Sequence, residues 1–238
     1  DKFKCVCCND NSSGKLIAHH LNGYNWDKEN RLNLDNGVMR FFSRVFDIVE
    51  LNLLFLIGCI PIVTIGASLT AMYSITLKMA RNEESHIVRG FIKAFKLNFK
   101  QGTIVGMISI IIALFIIIDL KIISIIGDDK LKILQVLCYI VAIWAYIIAL
   151  YSFPIIARFV HTTKEVFKNS FMISIVNFKW TILLILINIP FILMLLYSEV
   201  SMLLFFTILI ICGFSGLALI QSFIFRKIFE KYENYEIN

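Results

Sequence analysis

Three runs of this chain carry no charged residue and approach the length of a bilayer crossing. They are Gly102–Ile118, Ile133–Ile148 and Thr181–Tyr197. At 1.5 Å per residue, helices of such length cover most of a hydrocarbon core of roughly 30 Å. The chain as a whole is 58% apolar with a mean hydropathy of +0.79, more than a soluble core of 238 residues needs. In lipid the backbone must satisfy its own polar groups, so an all-α, polytopic membrane protein is expected.

Six spans can be drawn: Val45–Ile60, Ala67–Ala80, Thr103–Leu120, Leu131–Ile156 (tilted or kinked near Pro154), Trp180–Leu196 and Met202–Phe225. The first two are short and separated by Pro61, so a single Pro-kinked helix is the rival reading there. Charge placement favours two spans. With six crossings, 20 of the 23 Lys/Arg fall on one side, in the N-terminal flank through Arg44, in Lys78–Lys100, in Arg158–Lys179 and in Arg226–Lys231. The other side keeps Lys121, Lys130 and Lys132, balanced by Asp119, Asp128 and Asp129. The positive-inside rule then puts both termini in the cytoplasm of a cell-membrane protein.

Two cytoplasmic segments have helical periodicity with basic faces. In the first, Ile87, Val88, Phe91, Ile92, Phe95 and Phe99 alternate with Arg89, Lys93, Lys96 and Lys100. In the second, Val166, Phe167, Phe171 and Ile175 accompany Lys164 and Lys168. Both read as amphipathic helices at the membrane surface, with lipid as partner and docking of a cytoplasmic protein as the alternative. Each leads into a similar entry, Asn98-Phe99-Lys100 and Asn177-Phe178-Lys179. Cys59, Cys138 and Cys212 lie in apolar runs and read as small hydrophobes.

Several strings resemble the YesL-like family of uncharacterised bacterial membrane proteins. They are Asn52-Leu53-Leu54, the run Pro61-Ile62-Val63-Thr64-Ile65-Gly66-Ala67-Ser68, Ala71-Met72-Tyr73 and Leu77–Glu84. Phe91–Gln101, Phe153–Phe159 and Phe229–Glu233 continue the likeness, which covers nearly all of residues 39–235. The resemblance implies a helical membrane fold and an association with carbohydrate ABC transporters. It implies no catalytic residue.

Polar groups within the spans are the internal clues. Asp47 and Glu50 lie three apart on one face of the first span, with Asn52 just beyond. At depth they would bind a cation or sugar hydroxyls; in the interface they would pair with Arg44 or loop lysines. Thr64, Ser68 and Thr70 read as helix-packing groups, and Asn188 and Gln221 as interhelical hydrogen-bond partners.

The first 38 residues differ from the rest. They carry five Lys/Arg and five Asp/Glu, while the remainder carries the whole net charge of +6. Cys5-x-x-Cys8, Ala18-His19-His20-Leu21 and Asn36-Gly37 resemble the opening of an HNH endonuclease. By that resemblance Cys5 and Cys8 are half of a structural zinc site, His19 faces a catalytic metal, His20 is the general base and Asn36 fixes the loop. The pattern then stops. No later Cys pair or His completes either site, since His86 and His161 belong to loops of the membrane part, and two Cys cannot complete a four-coordinate zinc site. The expectation is a truncated, zinc-knuckle-like remnant over 1–38, with at most weak zinc binding. It precedes a transmembrane domain over 39–238 whose natural start would be Met39.

The expected function is that of a non-enzymatic membrane protein assisting or regulating a carbohydrate ABC transport system, without cofactor. A self-contained small-solute transporter or channel built on Asp47 and Glu50 is the alternative. A membrane-tethered nuclease is the remote one, and no functional nucleic-acid binding is expected.

Overall fold

The computed structural model describes residues 37–83, 86–126, 131–197 and 199–236. Among them there are helices and no strand. The helices are α1 (Gly37–Gly58), α2 (Ile65–Ala80, entered through a 3-10 turn at Ile62–Thr64), α3 (Ile87–Ile126) and α4 (Lys132–Arg158). They continue as α5 (Thr163–Val176), α6 (Phe178–Tyr197), α7 (Glu199–Ile208) and α8 (Phe214–Glu236), with a π-wound segment, Leu209–Gly213, joining α7 to α8. The chain divides into two units, Asp1–Val45 and Phe46–Asn238. Of the first, only the opening of α1 is described. The zinc and nuclease-like positions Cys5, Cys8, His19, His20 and Asn36 lie outside the described residues.

Four stretches are long and apolar enough to cross a membrane: Ile62–Ala80, Ile87–Ile126, Lys132–Arg158 and Met202–Tyr232. A fifth arises only if α5 and Phe178–Pro190 of α6 are taken as one span bent by 98°. Among the described residues the count is therefore four or five, where the sequence suggests six. Two expected spans are missing from the four: α1, whose last 18 residues still include Arg44, Asp47 and Glu50, and α6, which enters only together with α5.

The first amphipathic segment departs from expectation in a second way. Ile87–Phe99 is not a separate surface helix. It continues without a break into the third expected span, giving one 40-residue helix. That helix is about 60 Å long, twice the hydrocarbon thickness, so its basic N-terminal part extends past the apolar layer. Part of its apolar face is buried in protein, at Ile87, Phe91 and Ala94. Gly90 of this segment lies against Ile75 of α2. The second segment does form its own helix, α5. It opens with a capping box, in which the Thr162 N–H donates to Glu165 Oε2 at 2.7 Å and the Glu165 N–H donates to Thr162 Oγ1 at 3.4 Å.

Helix α2 is central: 61% of its span is buried, against 11% and 6% for the most apolar stretches of α3 and α4. Small residues allow this, since Gly66, Ala67, Ser68, Thr70, Ala71 and Ala80 let neighbouring backbones approach. Helix α2 runs antiparallel to the first half of α3, with Gly66 against Gly102 and Gly106, and Ile75 against Gly90. It ends in a Schellman turn, with Asn82 in the left-handed region at φ 58° and the Glu83 N–H donating to Lys78 O at 3.0 Å.

Burial is concentrated at one end of the bundle. In α4 the buried residues are Ile147 and Tyr151–Ile156, in its C-terminal half, and in α3 all but Ile123 precede Ile108. The far halves of α3 and α4 expose Ile111, Phe115, Ile125, Ile133 and Val136. Such apolar surface suits hydrocarbon and not water.

Candidate functional site: polar seams in an apolar bundle

The Pro61–Ser68 string builds the turn between α1 and α2. Pro61 takes extended geometry (φ −78°, ψ 121°) and opens the 3-10 turn. Thr64 Oγ1 donates to Gly58 O at 2.7 Å and to Pro61 O at 2.8 Å, which ties the end of α1 to the start of α2. Gly66 then meets α3 backbone to backbone: a Cβ there would overlap the Gly102 carbonyl oxygen, and one on Gly106 would lie 2.7 Å from Gly66 Cα. Gly102 and Gly106 form a Gly-x-x-x-Gly on the facing helix, a close-packing signature. Thr70 Oγ1 donates to Gly66 O at 2.8 Å. Ser68 is fully buried beside Gly58. All four motif residues thus have packing or turn-forming places.

Asn52 separates from the two carboxylates near it in sequence. It is fully buried, whereas Glu50 is exposed and Asp47 is half-buried. The Asn52 side chain reaches the π-wound segment. Its Nδ2 donates to Leu209 O at 3.0 Å and Ile210 O at 2.7 Å, and its Oδ1 accepts from the Ser215 N–H at 3.1 Å. A π turn disturbs the ordinary i→i−4 ladder, and the carboxamide supplies a peptide-like donor and acceptor there. Ser215 Oγ adds a bond back to Ile48 O at 2.7 Å. Asn52 thus turns its carboxamide to the π-wound segment and the start of α8, while the Glu50 side chain is exposed.

A second seam joins α2, α6 and α8. Tyr73 Oη donates to Gln221 Oε1 at 2.5 Å, Gln221 Nε2 donates to Asn188 Oδ1 at 3.2 Å, and Asn188 Nδ2 donates to Leu184 O at 2.6 Å. One turn on, Ser222 Oγ donates to Thr76 Oγ1 at 2.8 Å, and Arg226 Nη1 donates to Ala80 O at 2.8 Å. Tyr151 Oη and Thr181 Oγ1 pair at 2.8 Å, and the Ser152 and Ser170 hydroxyls at 3.1 Å. The hydroxyls and amides of this seam are neutral and bonded to one another, which is how buried polar groups stabilise an apolar bundle.

The basic groups meet at one end. Arg226 holds the end of α2 and pairs with Glu230 at 2.7 Å. Phe159, just after α4, packs on Phe229 with ring centroids 5.2 Å apart. Gln101 Nε2 donates to His161 O at 2.7 Å. Asn177 Nδ2 donates to Tyr232 Oη at 2.9 Å, and Lys227 Nζ lies 5.5 Å over the Trp180 ring. Beside this end, the Glu165 carboxyl is held below its ordinary range by the Thr162 N–H and the Thr162 hydroxyl, with His161 and Lys168 adding to the effect. Among the described residues no three His, Cys, Asp or Glu gather as metal ligands.

The chain matches known sequences without functional detail. Residues 48–120 match the family described as "Protein of unknown function, DUF624". That stretch takes in Asn52, the Pro61–Ser68 turn, the Tyr73 side of the seam and the Gly102/Gly106 contact. A curated relative, "Uncharacterized protein YesL" of Bacillus subtilis (strain 168), is 27% identical over 143 residues, covering 58% of this chain and 67% of the relative. No solved structure matches the chain. The chain is similar to YesL, and its apolar helices are those of a membrane protein.

Proposed function

We propose that this chain is a non-enzymatic, multi-pass component of the cell membrane that assists or regulates a carbohydrate ABC transport system. One observation carries the reading: the Tyr73, Gln221 and Asn188 side chains bond one another inside the bundle, while the chemistry open to a partner gathers at the basic end. A scaffold of this kind works by contact. The link to carbohydrate uptake draws on the YesL-like strings around Pro61–Ser68. In this reading α1 makes the first of six crossings, both termini and the basic end are cytoplasmic, and the partners are lipid and transporter subunits. Nucleic-acid binding and cofactors have no part in it.

The test is affinity purification of the full chain from solubilised membranes, combined with sugar uptake in a deletion strain. Recovery of a transporter's membrane or nucleotide-binding subunit, with altered uptake, supports the proposal. Recovery of no transporter subunit, with unchanged uptake, overturns it.

The alternative, a small-solute transporter or channel, draws on the helix discontinuities at Leu209–Gly213 and at Asn177, because transporters use interrupted helices around their substrates. Asp47 and Glu50 are its ionisable groups. Proteoliposome flux that is unchanged in a D47N/E50Q variant counts against it.

A further inference from the structure

We infer that the corner between α5 and α6, together with the facing turns of α8, binds the phosphate of an anionic phospholipid through Lys179, Lys227 and Lys231. Depth comes first. Helix α6 is free of charge from Trp180 to Tyr197, so its axis belongs in hydrocarbon. Helix α5 leaves it at 98°, which lays α5 close to the membrane plane when α6 crosses. The exposed Phe171, Met172, Ile175 and Val176 give α5 an apolar surface to rest on lipid. Asn177 and the residues next to it then lie at headgroup depth.

The corner is fixed in place by side chains. Asn177 Nδ2 donates to Ile173 O at 3.0 Å and to Tyr232 Oη at 2.9 Å, and its carbonyl accepts from the Trp180 and Thr181 N–H groups at 2.9 and 3.0 Å. Trp180 is half-buried, with its ring facing Lys227 Nζ at 5.5 Å, an arrangement that holds the ammonium beside an interfacial indole. Lys179 is adjacent in sequence, and Lys231 is one turn beyond Lys227. All three lysines are exposed, and none makes an ion pair among the described residues. Glu230, the acid between Lys227 and Lys231, is engaged by Arg226 at 2.7 Å. Three exposed lysines at this corner, one of them over the indole, fit a phosphodiester anion at headgroup depth, and basic pockets between membrane helices take such headgroups.

The probe is the detergent-purified full chain, with phosphatidylglycerol, phosphatidylcholine and inorganic phosphate in separate titrations. Binding is read as retained lipid by native mass spectrometry and as the shift in unfolding temperature. Phosphatidylglycerol is expected to be retained and to stabilise the wild type. K179A/K227A/K231A should lose at least about tenfold in apparent affinity, since each surface lysine contributes substantially to anionic-lipid attraction. K179R/K227R/K231R should keep binding, as should K121A/K132A at other positions in the chain. Equal retention of phosphatidylcholine, or triple-alanine binding equal to wild type in a protein with unchanged helicity, overturns the inference. Saturation by inorganic phosphate at the same concentration also overturns it, by assigning the site to a free anion. Failure of the transport-partner proposal would leave these readings unaffected.

Discussion

The Asn52 side-chain oxygen accepts a hydrogen bond from the Ser215 N–H at 3.1 Å, across 163 positions of sequence, and both residues are fully buried. The same carboxamide donates to the Leu209 and Ile210 carbonyls, so one side chain of α1 serves three backbone groups around the π-wound segment. Asn52→Leu keeps the volume and removes all three bonds. A buried group left unsatisfied costs about 1–3 kcal/mol, so a fall in stability of at least that size is expected. Asn52→Asp should be worse than Asn52→Gln, because it sets a carboxylate against two carbonyl oxygens. Thermal unfolding in detergent, followed by tryptophan fluorescence, checks the order; a wild-type melting temperature in Asn52→Leu would refute the role.

The α2–α3 contact predicts opposite outcomes for the same substitution at two glycines. Gly66→Ala places a methyl into the Gly102 carbonyl, where backbone must move, and overpacking of this kind costs typically 1–3 kcal/mol. Gly216, in α8, has nothing within 4 Å of the position a Cβ would take. Gly216→Ala should therefore gain about 0.5–1 kcal/mol from the helix preference for alanine. Denaturant titration of the two variants beside wild type gives the signs directly.

The seam between α2 and α8 is suited to a double-mutant cycle. Gln221→Leu breaks its bonds to both Tyr73 and Asn188, whereas Tyr73→Phe breaks one, so the glutamine change should be the more costly. The coupling between them should be about 0.5–1.5 kcal/mol, the scale of interhelical hydrogen bonds in membranes. Additive effects would show that the 2.5 Å contact contributes nothing specific.

These sites were unevenly legible in the sequence. Uncharged runs revealed the long helices because hydrocarbon imposes length and composition directly. Asn188 and Gln221 stood out as amides in apolar runs, and the structure joins them. Asn52 stands in the sequence beside Asp47 and Glu50, but its partners lie near Ser215, and no local pattern encodes a contact across 163 residues. Gly102 and Gly106 sit at the spacing of a close helix contact, a signal that the sequence carries without naming the partner helix. The apolar stripe of Ile87–Phe99 fits lipid or protein equally. Only the fold shows that Ile87, Phe91 and Ala94 are buried in protein and that the stripe continues into a span.

The capping box predicts a local effect with a pH signature. Thr162→Ala removes the acceptor for the Glu165 N–H and should cost roughly 1 kcal/mol, while Thr162→Ser should be nearly silent. The Glu165 carboxyl is held below its ordinary range in the folded chain, so its contribution is fully present above the unfolded value near 4.3. It is lost as pH falls through the folded value. The stability gap between wild type and Glu165→Gln should therefore shrink on acidification below about pH 4. Amide exchange across Thr163–Val176 reads it, and a gap that widens in acid would contradict the assignment.

Orientation can be tested by labelling from the two sides of the membrane. The C-terminal parts of α2, α4 and α8 share an end through Arg226 with Ala80 and Phe159 with Phe229. Most of the basic residues from Lys78 onward lie in or beside those parts. By the positive-inside rule this end is expected in the cytoplasm and Lys132, at the start of α4, on the opposite face. In a chain with Cys5, Cys7, Cys8, Cys59, Cys138 and Cys212 replaced by Ser or Ala, single cysteines at Lys231 and Lys132 report the two sides. A membrane-impermeant maleimide applied to intact cells should label the Lys132→Cys variant and spare Lys231→Cys until the membrane is opened. The reverse pattern would invert the topology, and labelling of both from outside would mean that the start of α4 and the end of α8 do not lie on opposite faces as the bundle requires.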